Sequence, residues 1–209
     1  MKYLKMLGLA VVAVVALMAF AGAGSASATV LCHKAETPCS QKWSKGTEIE
    51  FTVRPGTRAR WFSEPTTVME CSSGDLKGSV TSVGGSSETV KIPLSNFAWT
   101  SCAPANSSTL EAGELEIHSI SGSENGTVTL KGFTDRMENT PFGTCVYTSG
   151  STGIGLGTLT ASKTGEAIID IETTLTRSGG SALCPPTVTW WEQWIQTAPS
   201  GTPLFVEPS

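Results

Sequence analysis

The sequence predicts an all-β protein: an antiparallel β-sandwich or barrel, stapled by disulfides and preceded by an export signal. Three observations carry this. Segments of alternating apolar and polar residues recur as about ten short strands at roughly 8–15-residue spacing, separated by Gly/Ser turns, which is how sandwiches and barrels read. The chain holds six cysteines, an even number, all downstream of the N-terminal apolar run. Beyond that run, no segment shows helical periodicity that outweighs a strand reading.

The N-terminus has the three parts of a secretory signal. Lys2 and Lys5 give the positive end, Leu7 to Phe20 the apolar run, and Ala26-Ser27-Ala28 the small-residue cleavage pattern. The expected organisation is a signal peptide over 1–28 cut after Ala28, a β-hairpin segment over 29–65 and a main all-β domain over 66–209. The apolar run is short for a transmembrane span. Leu31 precedes Cys32 where lipid attachment needs a small residue. The expected location is therefore outside the cell, with no stable membrane insertion after cleavage.

Glu48 to Val53 alternates, with Ile49, Phe51 and Val53 on one face. Pro55-Gly56 is a turn, and Arg58 to Trp61 alternates again, which suggests a hairpin. Thr66 to Cys71 is a short strand, Ser72-Ser73-Gly74-Asp75 a turn, and Leu76, Gly78 and Val80 share a face on the next strand. Gly84-Gly85-Ser86-Ser87 is a turn. Val90, Ile92 and Leu94 follow at period two, with Pro93 marking an edge or a bulge. Phe97 and Trp99 lead to Cys102, and a loop covers Ala103 to Ser108. Leu115 and Ile117 alternate with Glu114, Glu116 and His118; Asn125-Gly126 is a hairpin signal, and Val128 and Leu130 form the return strand. Thr134 to Pro141 is polar and reads as a loop. Ile154 to Ala161 and the longer Ala167 to Thr176 are strands, the latter with Ala167, Ile169, Ile171, Thr173 and Leu175 on one face. Thr187 to Thr197 carries Trp190, Trp191 and Trp194; two prolines upstream would allow a helix there, but Thr187, Val188, Thr189 and the aromatics favour strand. Leu204-Phe205-Val206 makes a last short strand.

An exported chain with an even cysteine count reads as disulfide-bonded. Nearest-neighbour closure gives Cys32–Cys39, Cys71–Cys102 and Cys145–Cys184. The two longer loops enclose about thirty and about forty residues, each stabilising by roughly 3–4 kcal/mol in the chain-entropy account. The rival use of these cysteines is metal binding, but there is no CxxC and no histidine at ligand spacing, so no metal and no cofactor are expected. The net charge is −4, and more negative once Lys2 and Lys5 are removed, which speaks against nucleic acid as a partner.

The export signal, Cys71-Ser72-Ser73 leading to Leu76-Lys77-Gly78, the Cys102 closure, Gly143-Thr144-Cys145-Val146-Tyr147, and Cys184-Pro185 followed by Trp190 and Pro203-Leu204-Phe205-Val206 form a set. On these motifs the chain resembles a group of uncharacterised secreted, β-rich proteins of actinobacteria. The resemblance implies compartment and fold from Cys71 onward. It names no activity and no site residue.

Candidates for chemistry are few. The chain has two histidines: His33 beside Cys32, and His118 on the polar side of a strand. No GxSxG accompanies them. Asp170 with Glu172, and Glu114 with Glu116, are same-face acid pairs; glycoside hydrolysis needs two acids across a cleft, whereas pairs on one strand read as solvated surface. Gly153, Gly155 and Gly157 lack the following helix of a phosphate cradle and read as close backbone packing. No catalytic residue is assigned and no enzyme is expected. Lys42, Lys45, Arg54, Arg58 and Arg60, with Trp43 and Trp61, form a basic stretch that reads as a solvated face balancing Glu48, Glu50 and Glu64. The functional expectation is a secreted, non-catalytic β-domain that acts at or beyond the cell envelope by binding. Its sharper form is a module for a cell-wall or extracellular glycan that uses Trp190, Trp191 and Trp194. A secreted hydrolase is the second alternative. On a strand Trp190 and Trp194 share one face and Trp191 takes the other, so the competing reading puts aromatics in the core.

Overall fold

Alternation translates into pleat. The structure, a computed structural model, describes residues 29–85 and 88–207, the side chains of residues 85 and 88 excepted. The expected leader, residues 1–28, lies outside them, as do Ser86 and Ser87 of the expected turn. Fifteen strands and no helix are found among the described residues. They are β1 (Leu31–Cys32), β2 (Glu48–Val53), β3 (Ala59–Ser63), β4 (Thr66–Ser79), β5 (Ser82–Gly85), β6 (Glu88–Ala103), β7 (Asn106–Glu111), β8 (Glu114–Ser119), β9 (Gly126–Lys131), β10 (Thr134–Thr140), β11 (Gly143–Thr148), β12 (Ile154–Thr160), β13 (Ile168–Gly180), β14 (Thr187–Ala198) and β15 (Phe205–Val206). The fold is all-β and antiparallel.

Of sandwich and barrel, the ladders select the barrel. β2 pairs with both β4 and β14, and the path β4-β6-β8-β9-β12-β13-β14 returns to β2, so eight strands close on themselves. Closure removes the edges that an open sheet would expose. Four strands, β4, β6, β13 and β14, are much longer than the rest, and their far halves run on into a second ring with β3, β7, β10 and β11. That ring is laddered throughout except between β6 and β7, which leave a short connection at Ala103-Pro104 without pairing.

Several elements differ from expectation, each for a local reason. β2 and β3 do not form a hairpin. Both run antiparallel to β4 and to β14, so they are one strand position interrupted by the excursion at 54–58. Residues 48–63 thus belong to the same sheet as the rest. Ser72–Asp75 is not a turn but the middle of β4. Gly74 sits there because a Cβ would lie 2.7 Å from the Ala98 carbonyl oxygen and 3.1 Å from the Trp194 ring. The polar run from Thr134 is strand β10, not loop: Asp135 and Met137 point inward, and the buried acid disguises the alternation. The loop expected over Ala103 to Ser108 likewise gives way to β7 at Asn106. Beside Pro93 the pairing slips by one residue, with Lys77 opposite Asn96 and Gly78 opposite Leu94, which is the bulge rather than the edge. At Gly157 a Cβ would come 1.9 Å from the Asp170 carbonyl oxygen, so the glycine stretch serves close strand approach. Residues 187–198 are strand throughout.

Three disulfides are present, Cys32–Cys39, Cys71–Cys102 and Cys145–Cys184, spanning 7, 31 and 39 residues of sequence. Bonds of this kind persist in an oxidising compartment. Cys71 and Cys102 face each other directly across β4 and β6. The N-terminal segment folds over one mouth of the first ring. Its β1 pairs with β15, Trp43 is buried, and Thr29 Oγ1 accepts from the Ser119 backbone N–H. One continuous hydrophobic core fills both rings.

Candidate functional site

The three tryptophans of β14 part company. Alternation on the strand puts Val188, Trp190, Glu192, Trp194 and Gln196 inside and leaves Trp191 outside, 38 % exposed. Trp190 and Trp194 are fully buried, which corrects the expectation that all three serve a ligand. They join Trp61, Phe97, Trp99 and Phe133 in an aromatic cluster at the waist between the rings. Trp61 stacks on Trp190 with centroids 5.8 Å apart, and Trp99 meets Trp61 edge-on at 4.8 Å.

In the middle of this cluster stands Glu192, a residue that sequence reasoning passed over. Trp99 Nε1 donates to both of its carboxyl oxygens at 3.0 Å, and Trp190 Nε1 donates to Oε2 at 2.9 Å. Burial pushes the carboxyl well above the ordinary range, and the indole donors offset only part of that push. A second acid, Asp135, is also sealed inside. Burial raises its pKa to about 6, against the pull of the Ser107 hydroxyl donating to Oδ1 at 2.8 Å and of the Arg136 backbone N–H, while Oδ2 has no partner. Position parity along the strands would have marked both acids as inward-facing. No rule of composition would have said that carboxyls belong there.

Strongly shifted acids are candidates for catalysis when they line a cleft. Neither does so here, since both side chains are withdrawn from solvent. Of the acid pairs expected on solvated surface, Glu116 departs from that reading: it is buried between two lysines rather than free in solvent. Glu116 lies among Lys131 at 2.6 Å, Lys91 at 3.5 Å and His118 at 4.0 Å; burial would raise its pKa, and the two lysines hold it below the ordinary value instead. His118 also meets Thr129 Oγ1 at 3.4 Å. Asp170 accepts from Gln193 Nε2 at 2.5 Å, and Glu172 is exposed. His33 stacks on Trp43 at 5.3 Å. Among the described residues, no three or more His, Cys, Asp or Glu side chains are grouped to hold a metal ion.

The outer face around Trp191 carries an ordered cross-strand row of side chains. Across four adjacent strands the directly paired positions are Glu70 (β4), Arg60 (β3), Trp191 (β14) and Glu172 (β13). One step along, the row is Thr67, Phe62, Thr189 and Thr174. Trp191 is thus flanked by a guanidinium on one side and a carboxylate on the other. Glu70 holds Arg60 Nε at 3.0 Å and Arg58 Nη1 at 2.5 Å, which fixes the arginine beside the ring. Two of the basic stretch, Arg58 and Arg60, therefore pair with Glu70 rather than with the acids expected, Arg54 donates to Gln193 Oε1 at 3.1 Å, and Trp43 and Trp61 are core. Beside this row Arg60, Phe62, Glu64, Pro65 and Thr67 line an open groove of about 200 Å³.

Comparison with family models, with curated proteins and with solved structures finds no match to this chain.

Proposed function

We propose that this is a secreted, non-catalytic binding module whose outer face at Trp191 takes a glycan. The observation that carries the reading is the cross-strand row Glu70–Arg60–Trp191–Glu172. An exposed indole offers a flat apolar face to the C–H face of a sugar ring, while a fixed guanidinium and a carboxylate on either side match the donors and acceptors of its hydroxyls. The site is built on strands and braced by the Arg–Glu contacts, so little ordering is needed on binding. The groove at Phe62 and Glu64, of about 200 Å³, adjoins this row through Arg60. A catalytic role is disfavoured because the two acids with raised pKa values are enclosed.

The test is titration with soluble cell-wall and plant polysaccharides, read by tryptophan emission and by mobility in polysaccharide-containing gels. A blue shift and retardation that disappear in Trp191→Ala support the reading. No shift and no retardation with any polysaccharide, or retention of both in Trp191→Ala, would overturn it. Secretion with cleavage after Ala28 is part of the same proposal, supported by the leader's tripartite pattern and by the disulfides. N-terminal sequencing of the exported product should read Thr29-Val30-Leu31-Cys32; a product that keeps the leader contradicts it.

A further inference from the structure

A second surface, unrelated to Trp191, has the make-up of a small-ligand site. His33, Lys34, Ala35, Lys163, Pro203 and Phe205 line an open, mainly apolar groove of about 250 Å³. Three chain segments far apart in sequence meet there, and each is pinned. The 33–35 stretch lies within the Cys32–Cys39 disulfide loop, and Cys32 pairs with Phe205 in the β1–β15 ladder. Ser162, next to Lys163, exchanges backbone hydrogen bonds with Leu204 at 3.0 and 3.1 Å. His33 is held by its ring stack on Trp43 and by its backbone N–H to Gln41 O at 2.9 Å. The groove is therefore formed before any ligand arrives, which is the usual state of small-molecule sites.

Its charge is as specific as its shape. Lys34 and Lys163 are exposed, and neither forms an ion pair among the described residues. The acids of the same segments take their hydrogen bonds from other donors, and Glu36 feels the charge of Lys34 as a minor pull on its pKa after the Ser40 donors. Glu36 accepts from the Ser40 backbone N–H at 3.0 Å and from its hydroxyl, Glu166 accepts from Thr164 Oγ1 at 3.4 Å, and Glu207 accepts from the Cys39 backbone N–H at 3.0 Å. In a chain of net charge −4, two lysines outside any ion pair flank an apolar floor of Phe205, Pro203 and Ala35. Charge complementarity selects an anion, and the floor selects an apolar body beside it.

We propose that this groove binds a small organic acid: one carboxylate between Lys34 and Lys163, and one ring-sized apolar group on Phe205 and Pro203. A free aryl acid and the C-terminal residue of a peptide present the same chemistry. At a binding energy per non-hydrogen atom near the low end of the usual range, a ligand of this size binds with a dissociation constant on the order of 1 mM.

The experiment uses the full mature chain, labelled with ¹⁵N, titrated with phenylacetate, with N-acetylphenylalanine and with the neutral phenylacetamide. Saturable amide shifts at Lys34, Ala35, Lys163 and Phe205 with the two acids support the site, and tighter binding of one acid tells a free acid from a peptide end. Lys34→Ala and Lys163→Ala should each weaken phenylacetate by about 3–10-fold, the range of a lost charge-assisted contact at an exposed position. Both positions are exposed, so the remaining amide spectrum should be unchanged and reports folding directly. Equal binding of phenylacetamide, binding indifferent to both lysines, or no saturable shift up to about 20 times the expected dissociation constant each overturns the proposal. Trp191→Ala should bind phenylacetate as the parent does, so the outcome is independent of the glycan reading.

Discussion

Trp190 and Trp191 are neighbours in sequence and opposites in environment. Trp190→Ala removes a fully buried ring from the waist and orphans its contact with Glu192, so chemical denaturation should show a loss of about 3–5 kcal/mol. Trp191→Ala removes an exposed ring and should change stability by no more than about 0.5 kcal/mol, while abolishing any polysaccharide binding. Asp135 gives a pH signature. Its folded-state pKa lies near 6, above the ordinary 3.8, so the folded protein keeps a proton that the unfolded chain releases between those values. The stability that Asp135 contributes is therefore lost as pH rises from about 4 to about 6, by roughly 3 kcal/mol in total. Asp135→Asn keeps an acceptor for Ser107 and does not titrate, so its melting temperature should fall less steeply with pH over this range; an unchanged slope would show that Asp135 contributes none of it. Glu192 acts in the same direction, with burial again raising its pKa. Which face each residue took was legible from parity alone. What parity could not supply was the neighbourhood: nothing near Glu192 in sequence announces Trp99, which reaches it from β6.

At the level of elements, alternation was a good guide where the inward residues were apolar, as in β2, β8, β9 and β13. It failed where an inward position held something else. In β4 the run Ser72-Ser73-Gly74-Asp75 has the composition of a turn, yet the strand continues because Gly74 gives room to Ala98 and Trp194. Gly74→Ala should cost about 1–3 kcal/mol by urea denaturation, since its Cβ would press on a backbone oxygen that cannot easily move. In β10 the inward acid broke the pattern. The turn before Cys184 is held by a side chain near the end of β13: Arg177 Nη1 donates to the carbonyls of Cys184 at 2.6 Å and Ala182 at 3.1 Å. Partners from outside an element, such as Ala98 and Trp194 at Gly74, are what its own residues do not encode.

For the whole molecule, the disulfides offer a ranked prediction. In the chain-entropy account a cross-link stabilises more as its loop lengthens. Replacing Cys145 and Cys184 by serine should lower stability by about 4 kcal/mol, and replacing Cys32 and Cys39 by about 2, measured by guanidinium unfolding. The reverse order would mean that the N-terminal loop does more than close a ring of chain. Spacing and parity indicated the all-β class and the disulfide-bonded scaffold. Barrel closure was not legible, because it depends on β2 meeting β14 from opposite ends of the chain.

The four long strands common to both rings have one more consequence. Neither ring can be copied, exchanged or discarded as a unit, because a gene fragment for one would carry halves of strands whose partners lie in the other. Diversification of this architecture among descendants is thus confined to the exposed faces and to the tips of the connections, where Trp191 and the Lys34–Lys163 groove are found.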